Sequence, residues 1–117
     1  MTIKDIKTIE NNIKMAVDLL KALSNESRLK IICALYQEEK SVGELENIVS
    51  LSQSALSQHL ARLRRDNLVN TRRDAQNIYY SLEDKAIEAI LICLYDIYAD
   101  GETTADVEKA VDILLDK

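Results

Sequence analysis

Apolar residues recur at three- and four-residue steps along most of the chain, which is the spacing of helices with one buried face. Two short runs rich in β-branched and aromatic residues, 68–72 and 78–82, interrupt this pattern and flank a polar stretch over residues 73–77. These runs predict a β-hairpin. The remaining pattern predicts helices over residues 3–23, 26–38, 42–49, 53–66 and 84–98, and a short last helix over about 104–115.

Polar residues at the ends of these segments are suited to cap helices. Ser41 is followed three residues later by Glu44, which is the pattern of a capping box, and Ser52 can cap the helix over 53–66. Asn67 suits the left-handed conformation that ends this helix. Two helices separated by three residues make a helix-turn-helix over about 42–66, followed directly by the hairpin over about 68–82. The sequence therefore predicts a mainly α fold with a small β-hairpin, a winged helix-turn-helix.

The composition fits one mainly helical domain over residues 1–117. The chain is 47% hydrophobic and 30% charged, so it can bury a core, and it has no proline and only two glycines. Every apolar run is shorter than the roughly 18 residues that a membrane span needs, and residues 1–7 are polar and lack a secretory core. We expect a cytoplasmic protein with no membrane partner.

The chemistry of an enzyme or a cofactor site is missing from the sequence. We find no phosphate loop, no Ser/His/Asp or Cys/His spacing, and too few glycines to cradle a cofactor. Cys33 and Cys93 are sixty positions apart without a CxxC spacing, so we expect thiols at rest. His59 is the only histidine, and neither cysteine has another Cys or His near it in sequence, so we expect no metal site.

Charge is distributed unevenly along the chain. The net charge of −5 argues against a nucleic-acid partner, but residues 50–82 carry five basic and two acidic side chains, a net charge of +3. Residues 83–117 carry three basic and ten acidic side chains, a net charge of −7. All five basic residues of the middle stretch are arginines, whose planar fork matches phosphates and guanine edges. We therefore expect a basic surface on an otherwise acidic domain.

The helix over 53–66 has the side chains that a major-groove helix needs. Leu56, Leu60 and Leu63 form its inward face, and the outward face is short, polar and basic. Glutamine can pair bidentately with adenine, serine can reach a base edge or a phosphate, and arginine can contact the backbone or guanine. The hairpin tip could reach flanking backbone or an adjacent minor groove. The candidate DNA contacts are Gln53, Ser54, Ser57, Gln58, His59, Arg62, Arg65, Arg72, Arg73, Gln76 and Asn77. The alternative is an ordinary helical bundle with a polar surface helix.

Five runs, 22–33, 41–45, 51–60, 63–69 and 73–82, resemble the ArsR/SmtB family of bacterial transcriptional regulators, and the similarity covers about residues 15–98. The resemblance implies a homodimer, paired through the first and last long helices over about 3–23 and 84–98. It also implies a double-stranded DNA operator whose palindrome mirrors the two-fold axis.

Within that family the sequence is most similar to a branch that senses reactive sulfur species or oxidants through two cysteines. Cys33 matches the first of these, but the position of the second appears in this sequence as Ala99. Cys93 is six residues earlier, about 9 Å along a helix and rotated by about 240°, so it cannot replace the second thiol without a register shift. The resemblance assigns redox sensing to Cys33, and Cys93 is the other candidate redox-sensing thiol in this sequence. Each has an alternative interpretation as an inert core thiol.

These observations lead to one main hypothesis with alternatives. The main one is a repressor-type DNA-binding regulator that responds to thiol oxidation or reactive sulfur species. The first alternative keeps the DNA-binding module without a redox response, as a constitutive regulator or an anti-silencer. A protein-interaction module that uses the acidic C-terminal helices, and a metal-responsive repressor, are further alternatives.

Overall fold

The computed structural model describes residues 3–83 and 86–98. They form five helices and three strands: α1 (Ile3–Leu23), α2 (Glu26–Gln37), β1 (Lys40–Ser41), α3 (Val42–Val49), α4 (Gln53–Arg65), β2 (Val69–Asp74), β3 (Asn77–Leu82) and α5 (Ala86–Tyr98). The predicted fold class, mainly helical with a small β element, is confirmed. No helix in the described ranges is long and apolar enough to cross a membrane. The predicted helix over 104–115 and the predicted first residues of the helix over 84–98 lie outside the described residues.

The predicted caps position the helix-turn-helix. The Ser41 hydroxyl accepts from the Glu44 amide at 3.2 Å, and the Glu44 carboxylate accepts from the Ser41 amide at 3.0 Å, completing the capping box. The Ser52 hydroxyl accepts from the Ala55 amide at 3.2 Å. Asn67 has a φ of 59°, as its left-handed role requires. Helix α4 ends one residue earlier than predicted, with Asp66 as its C-cap.

The wing is a three-stranded antiparallel sheet in the order β1-β3-β2, where the sequence predicted two strands. Strand β1 has only two residues, Lys40 and Ser41, opposite Tyr80 and Tyr79 of β3, so no run of β-forming residues marked it in the sequence. Strands β2 and β3 also extend into the predicted 73–77 tip, because Ala75 adopts a left-handed φ of 57° and allows a tighter turn.

The core lies between α2, α4 and the start of α5. The three leucines predicted to form the inward face of α4 are all buried, and they join apolar side chains of α2, α5 and the wing. The side chains that are less than 2% exposed include Ile31, Ile32, Cys33, Leu45, Leu56, Leu60, Leu63, Ile87 and Leu91. Because three leucines of α4 are locked in this core, the opposite face of the helix is held toward solvent.

Apolar side chains of α1 and of the end of α5 are exposed. The predicted amphipathic stripe of α1 includes Ile6, Ile9 and Ile13, and their exposed fractions are 45%, 39% and 57%. In α5, Ile87 and Leu91 are buried, but Ile97 and Tyr98 are 63% and 73% exposed. The stripe of α5 therefore divides into a part within the core and a part that the described residues leave uncovered.

Candidate nucleic-acid interface

Helix α4 presents one continuous polar face to solvent. At about 100° per residue, the exposed side chains of Gln53, Ser54, Ser57 and Gln58 fall within an arc of about 140°. Ala61, Arg64 and Arg65 continue the same arc toward the C-terminal end of the helix. The face combines amide and hydroxyl groups at one end with two guanidinium groups at the other.

Arg64 is a candidate that the sequence reasoning missed. It lies seven residues after Ser57, so it is on the same side of the helix, and this spacing was the signal that could have found it. Ser57, Ala61, Arg64 and Tyr80 line a cavity of about 440 Å³ between α4 and the wing. In the part of the chain that is described, Arg64 forms no ion pair.

His59 and Arg62 lie away from this face, toward α2. The Arg62 Nε donates to Asp66 Oδ2 at 2.9 Å, and the Arg62 side chain is 33% exposed. His59 Nδ1 lies 3.5 Å from Nη1 of Arg28, whose Nε donates to the Ala22 carbonyl at 2.6 Å. Burial lowers the pKa of His59, and the Arg28 charge lowers it further. Both predicted DNA contacts are therefore engaged with other residues of the chain.

The groove between α4 and the wing is lined by predicted contacts from both. Gln53 and Ser57 of α4 lie across from Gln76, Asn77 and Tyr80 of the hairpin, around a cavity of about 330 Å³. The structure thus brings the start of α4 and the hairpin tip, more than twenty residues apart in sequence, to one concave surface.

The two predicted wing arginines lie on opposite faces of the sheet. Residues opposite each other in an antiparallel pair share a face, so Arg73 shares the face of Ile78, and Arg72 shares the face of Tyr79. Tyr80, which lines the groove, is two residues from Ile78 and lies on the Arg73 side. Arg72 is therefore on the outer face of the wing, where its guanidinium lies 2.7 Å from the Glu39 carboxylate.

Comparison with known proteins shows which family this chain belongs to. The model for "bacterial regulatory protein, arsR family" matches residues 25–71, which run from the cap of α2 into β2. The transcriptional activator HlyU of Vibrio cholerae is 51% identical over 97 residues, covering 83% of this chain and 90% of HlyU. The biofilm growth-associated repressor of Xylella fastidiosa is 37% identical over 105 residues, covering 90% of each chain. The chain belongs to the arsR family.

Solved arsR-type structures share the fold as well as the sequence. The crystal structure of NolR from Sinorhizobium fredii superposes with a TM-score of 0.73 at 45% identity, covering 88% of this chain and 97% of NolR. The protein is a transcriptional regulator of this family and not an enzyme, as the sequence predicted.

The two cysteines of this arsR-family chain have contrasting environments. Cys33 of α2 is 1% exposed, and burial raises the pKa of its thiol to about 12. Cys93 of α5 is exposed. In the described ranges no group of three or more His, Cys, Asp or Glu side chains could hold a metal ion.

Proposed function

We propose that this regulator acts as a repressor that inserts the exposed face of α4 into the major groove of an operator and places the wing against the flanking backbone. The observation that supports this most directly is the separation of polar and apolar side chains on α4. Gln53, Ser54, Ser57 and Gln58 project from a helix whose buried leucines fix its orientation. Amides and hydroxyls of this length can contact base edges, with Gln53 or Gln58 suited to adenine.

Arg64, Arg65 and Arg73 supply the phosphate contacts in this proposal. All three are exposed, and Arg64 and Arg73 form no ion pair with a described residue. Arg65 is 70% exposed and its Nε lies 3.9 Å from Asp66, a separation too long for a strong ion pair. Arg64 and Arg65 lie at the end of α4, and Arg73 lies on the side of the wing that faces α4. These positions suit the three arginines to neutralise phosphates on either side of the DNA major groove.

A homodimer formed through α1 and α5 completes the proposal. Exposed apolar side chains on one helix face indicate a surface that is covered in the functional molecule, and Ile13, Leu20 and Ile97 are each more than half exposed. A two-fold dimer would present two copies of α4 to a palindromic operator. Because Ile13 is exposed in the single chain, Ile13→Asp should leave the fold intact and shift sedimentation equilibrium toward the monomer.

Operator binding is tested by titrating the protein with DNA from upstream of its own gene. Replacing Gln58 and Arg65 with alanine should weaken binding by a few kcal/mol in total, since each removes one contact from both protomers. Lys30→Ala is a matched control, because Lys30 lies on α2 and pairs with Glu26 at 3.3 Å. Equal binding by the double variant and the wild type would refute the assignment of α4. Repression is tested with a reporter fused to the same DNA.

A thiol response is the proposed effector mechanism. One solved relative, 51% identical to this chain, is reduced HlyU from Vibrio cholerae, and this similarity supports a redox response in the proposal. In this chain the exposed Cys93 is the thiol that an oxidant or a persulfide donor would reach first. Operator affinity should then fall after treatment with a persulfide donor in the wild type and remain constant in Cys93→Ser.

The burial of Cys33 favours a second candidate, a regulator of the same kind without a thiol response. A thiol with a pKa of about 12 is almost entirely protonated at neutral pH, and the thiolate is the reactive form. Equal operator affinity of the wild type before and after the persulfide donor would establish this candidate and leave the DNA-binding proposal unchanged.

A further inference from the structure

Three side chains form a clasp across the outer face of the wing. The Arg72 Nε lies 2.9 Å from both carboxylate oxygens of Glu39, and its Nη2 lies 2.7 Å from Glu39 Oε1. The guanidinium also stacks over the Tyr79 ring, 4.4 Å from its centroid. We call Glu39, Arg72 and Tyr79 the wing clasp.

The wing clasp spans the whole width of the sheet. Arg72 is on β2, Tyr79 is its partner on β3, and Glu39 immediately precedes β1 on the far side of β3. The clasp therefore ties the connection after α2 to the strand most distant from it. Backbone pairing between β1 and β3 involves only two residues of β1, so this side-chain contact adds to that pairing and to the packing of Val69 and Leu82 against the core.

The same contacts make Arg72 a poor phosphate ligand. One edge of its guanidinium is occupied by a carboxylate, one face is covered by a ring, and the side chain lies on the face of the sheet opposite Tyr80 and the groove. Its neighbour Arg73 has the opposite orientation and no described ion-pair partner. The chain thus offers two adjacent arginines with different roles.

We propose that Glu39 and Arg72 are positioning residues for operator binding, which fix the direction of the wing so that Arg73 and Gln76 reach the DNA backbone. This rests on the proposed function. In this proposal Arg72 stabilises the position of the wing and does not contact DNA. Glu39 contributes to operator binding although its carboxylate is repelled by phosphate.

The experiment measures operator affinity over a range of salt concentrations for three variants. Two are the single variants Glu39→Gln and Arg72→Lys, and the third is a double variant, called the exchanged pair, that carries both Glu39→Arg and Arg72→Glu. Arg72→Lys keeps the charge but loses the planar fork. Both single variants should bind about five-fold more weakly, the size expected when two protomers each lose an exposed ion pair, with the salt dependence unchanged. The exchanged pair should restore binding.

Arg73→Ala is the matched control. It should reduce the magnitude of the slope of log K against log salt by about 0.9 for each protomer, because it removes a phosphate contact. The proposal is overturned if Glu39→Gln tightens binding, if Arg72→Lys binds as the wild type does, or if the exchanged pair binds no better than the single variants.

Amide hydrogen exchange of residues 69–82 tests the clasp without DNA. Exchange should be faster in both single variants and return to the wild-type rate in the exchanged pair, and unchanged exchange in the single variants also overturns the proposal. Failure of the wild type to bind operator DNA would instead refute the proposed function, so the two failures are distinguishable.

Discussion

Two arginines of α4, two positions apart, should contribute very differently to DNA affinity. Arg64 is exposed at the edge of the groove, whereas Arg62 is two-thirds buried and donates to Asp66 at 2.9 Å. If Arg64 neutralises one phosphate in each protomer, Arg64→Ala should lower the salt slope of a dimer by about 1.8. Each phosphate contact is worth about 1 kcal/mol at 0.15 M salt on this relation, so the variant should bind about 30-fold more weakly.

Arg62→Ala should change the slope by less than half as much, because its charge is already balanced by Asp66. The assay is fluorescence anisotropy of a labelled operator at four or more salt concentrations, with both variants checked by circular dichroism. A larger slope change for Arg62→Ala than for Arg64→Ala would refute the assignment of faces on α4. Equal changes would show that the Arg62–Asp66 pair opens on DNA.

Three further predictions concern stability and reactivity. Because burial and the Arg28 charge lower the pKa of His59, folding favours its neutral ring, so stability should be full above about pH 6.5 and decline below it. Thermal unfolding of His59→Gln should show a weaker decline, and parallel curves for the two proteins would contradict this. Leu63→Ala should lower the free energy of urea unfolding by about 3 kcal/mol, since the side chain is fully buried, and a loss below 1 kcal/mol would indicate that the core collapses around the site. Iodoacetamide should alkylate Cys33 orders of magnitude more slowly in the folded chain than in urea, because burial raises the pKa of its thiol to about 12 and leaves the side chain 1% exposed; mass spectrometry showing comparable rates would mean that α2 opens readily.

Much of the site was predictable because α4 is a single regular helix. Its period places Leu56, Leu60 and Leu63 on one side and Gln53 and Ser57 on another, whatever the helix packs against. The helix boundaries were also predictable, since the caps depend on residues within one turn of each end. The same local reasoning would have included Arg64 if the period had been applied to the last turn.

Contacts between distant segments are what the sequence did not predict. Strand β1 has two residues and exists only because it pairs with β3 forty positions later. His59 has suitable chemistry for DNA, but α2 brings Arg28 against it. The ion pair between Arg62 and Asp66 is the exception, because these residues are four positions apart at the end of α4 and local spacing could have predicted it. Arg72 has the same chemistry as Arg73, and no local pattern shows that Glu39 lies beside it.

The sequence by itself therefore determined the helices, their caps, the wing and the polar face of α4, because these depend on spacing within a few residues. Apart from the local Arg62–Asp66 pair, only the tertiary structure shows which of the polar residues are engaged with other side chains of the protein. His59 lies against Arg28, and Arg72 lies against Glu39 and Tyr79. Arg28 and Glu39 are more than thirty positions away from these residues, so packing between remote elements sets these contacts.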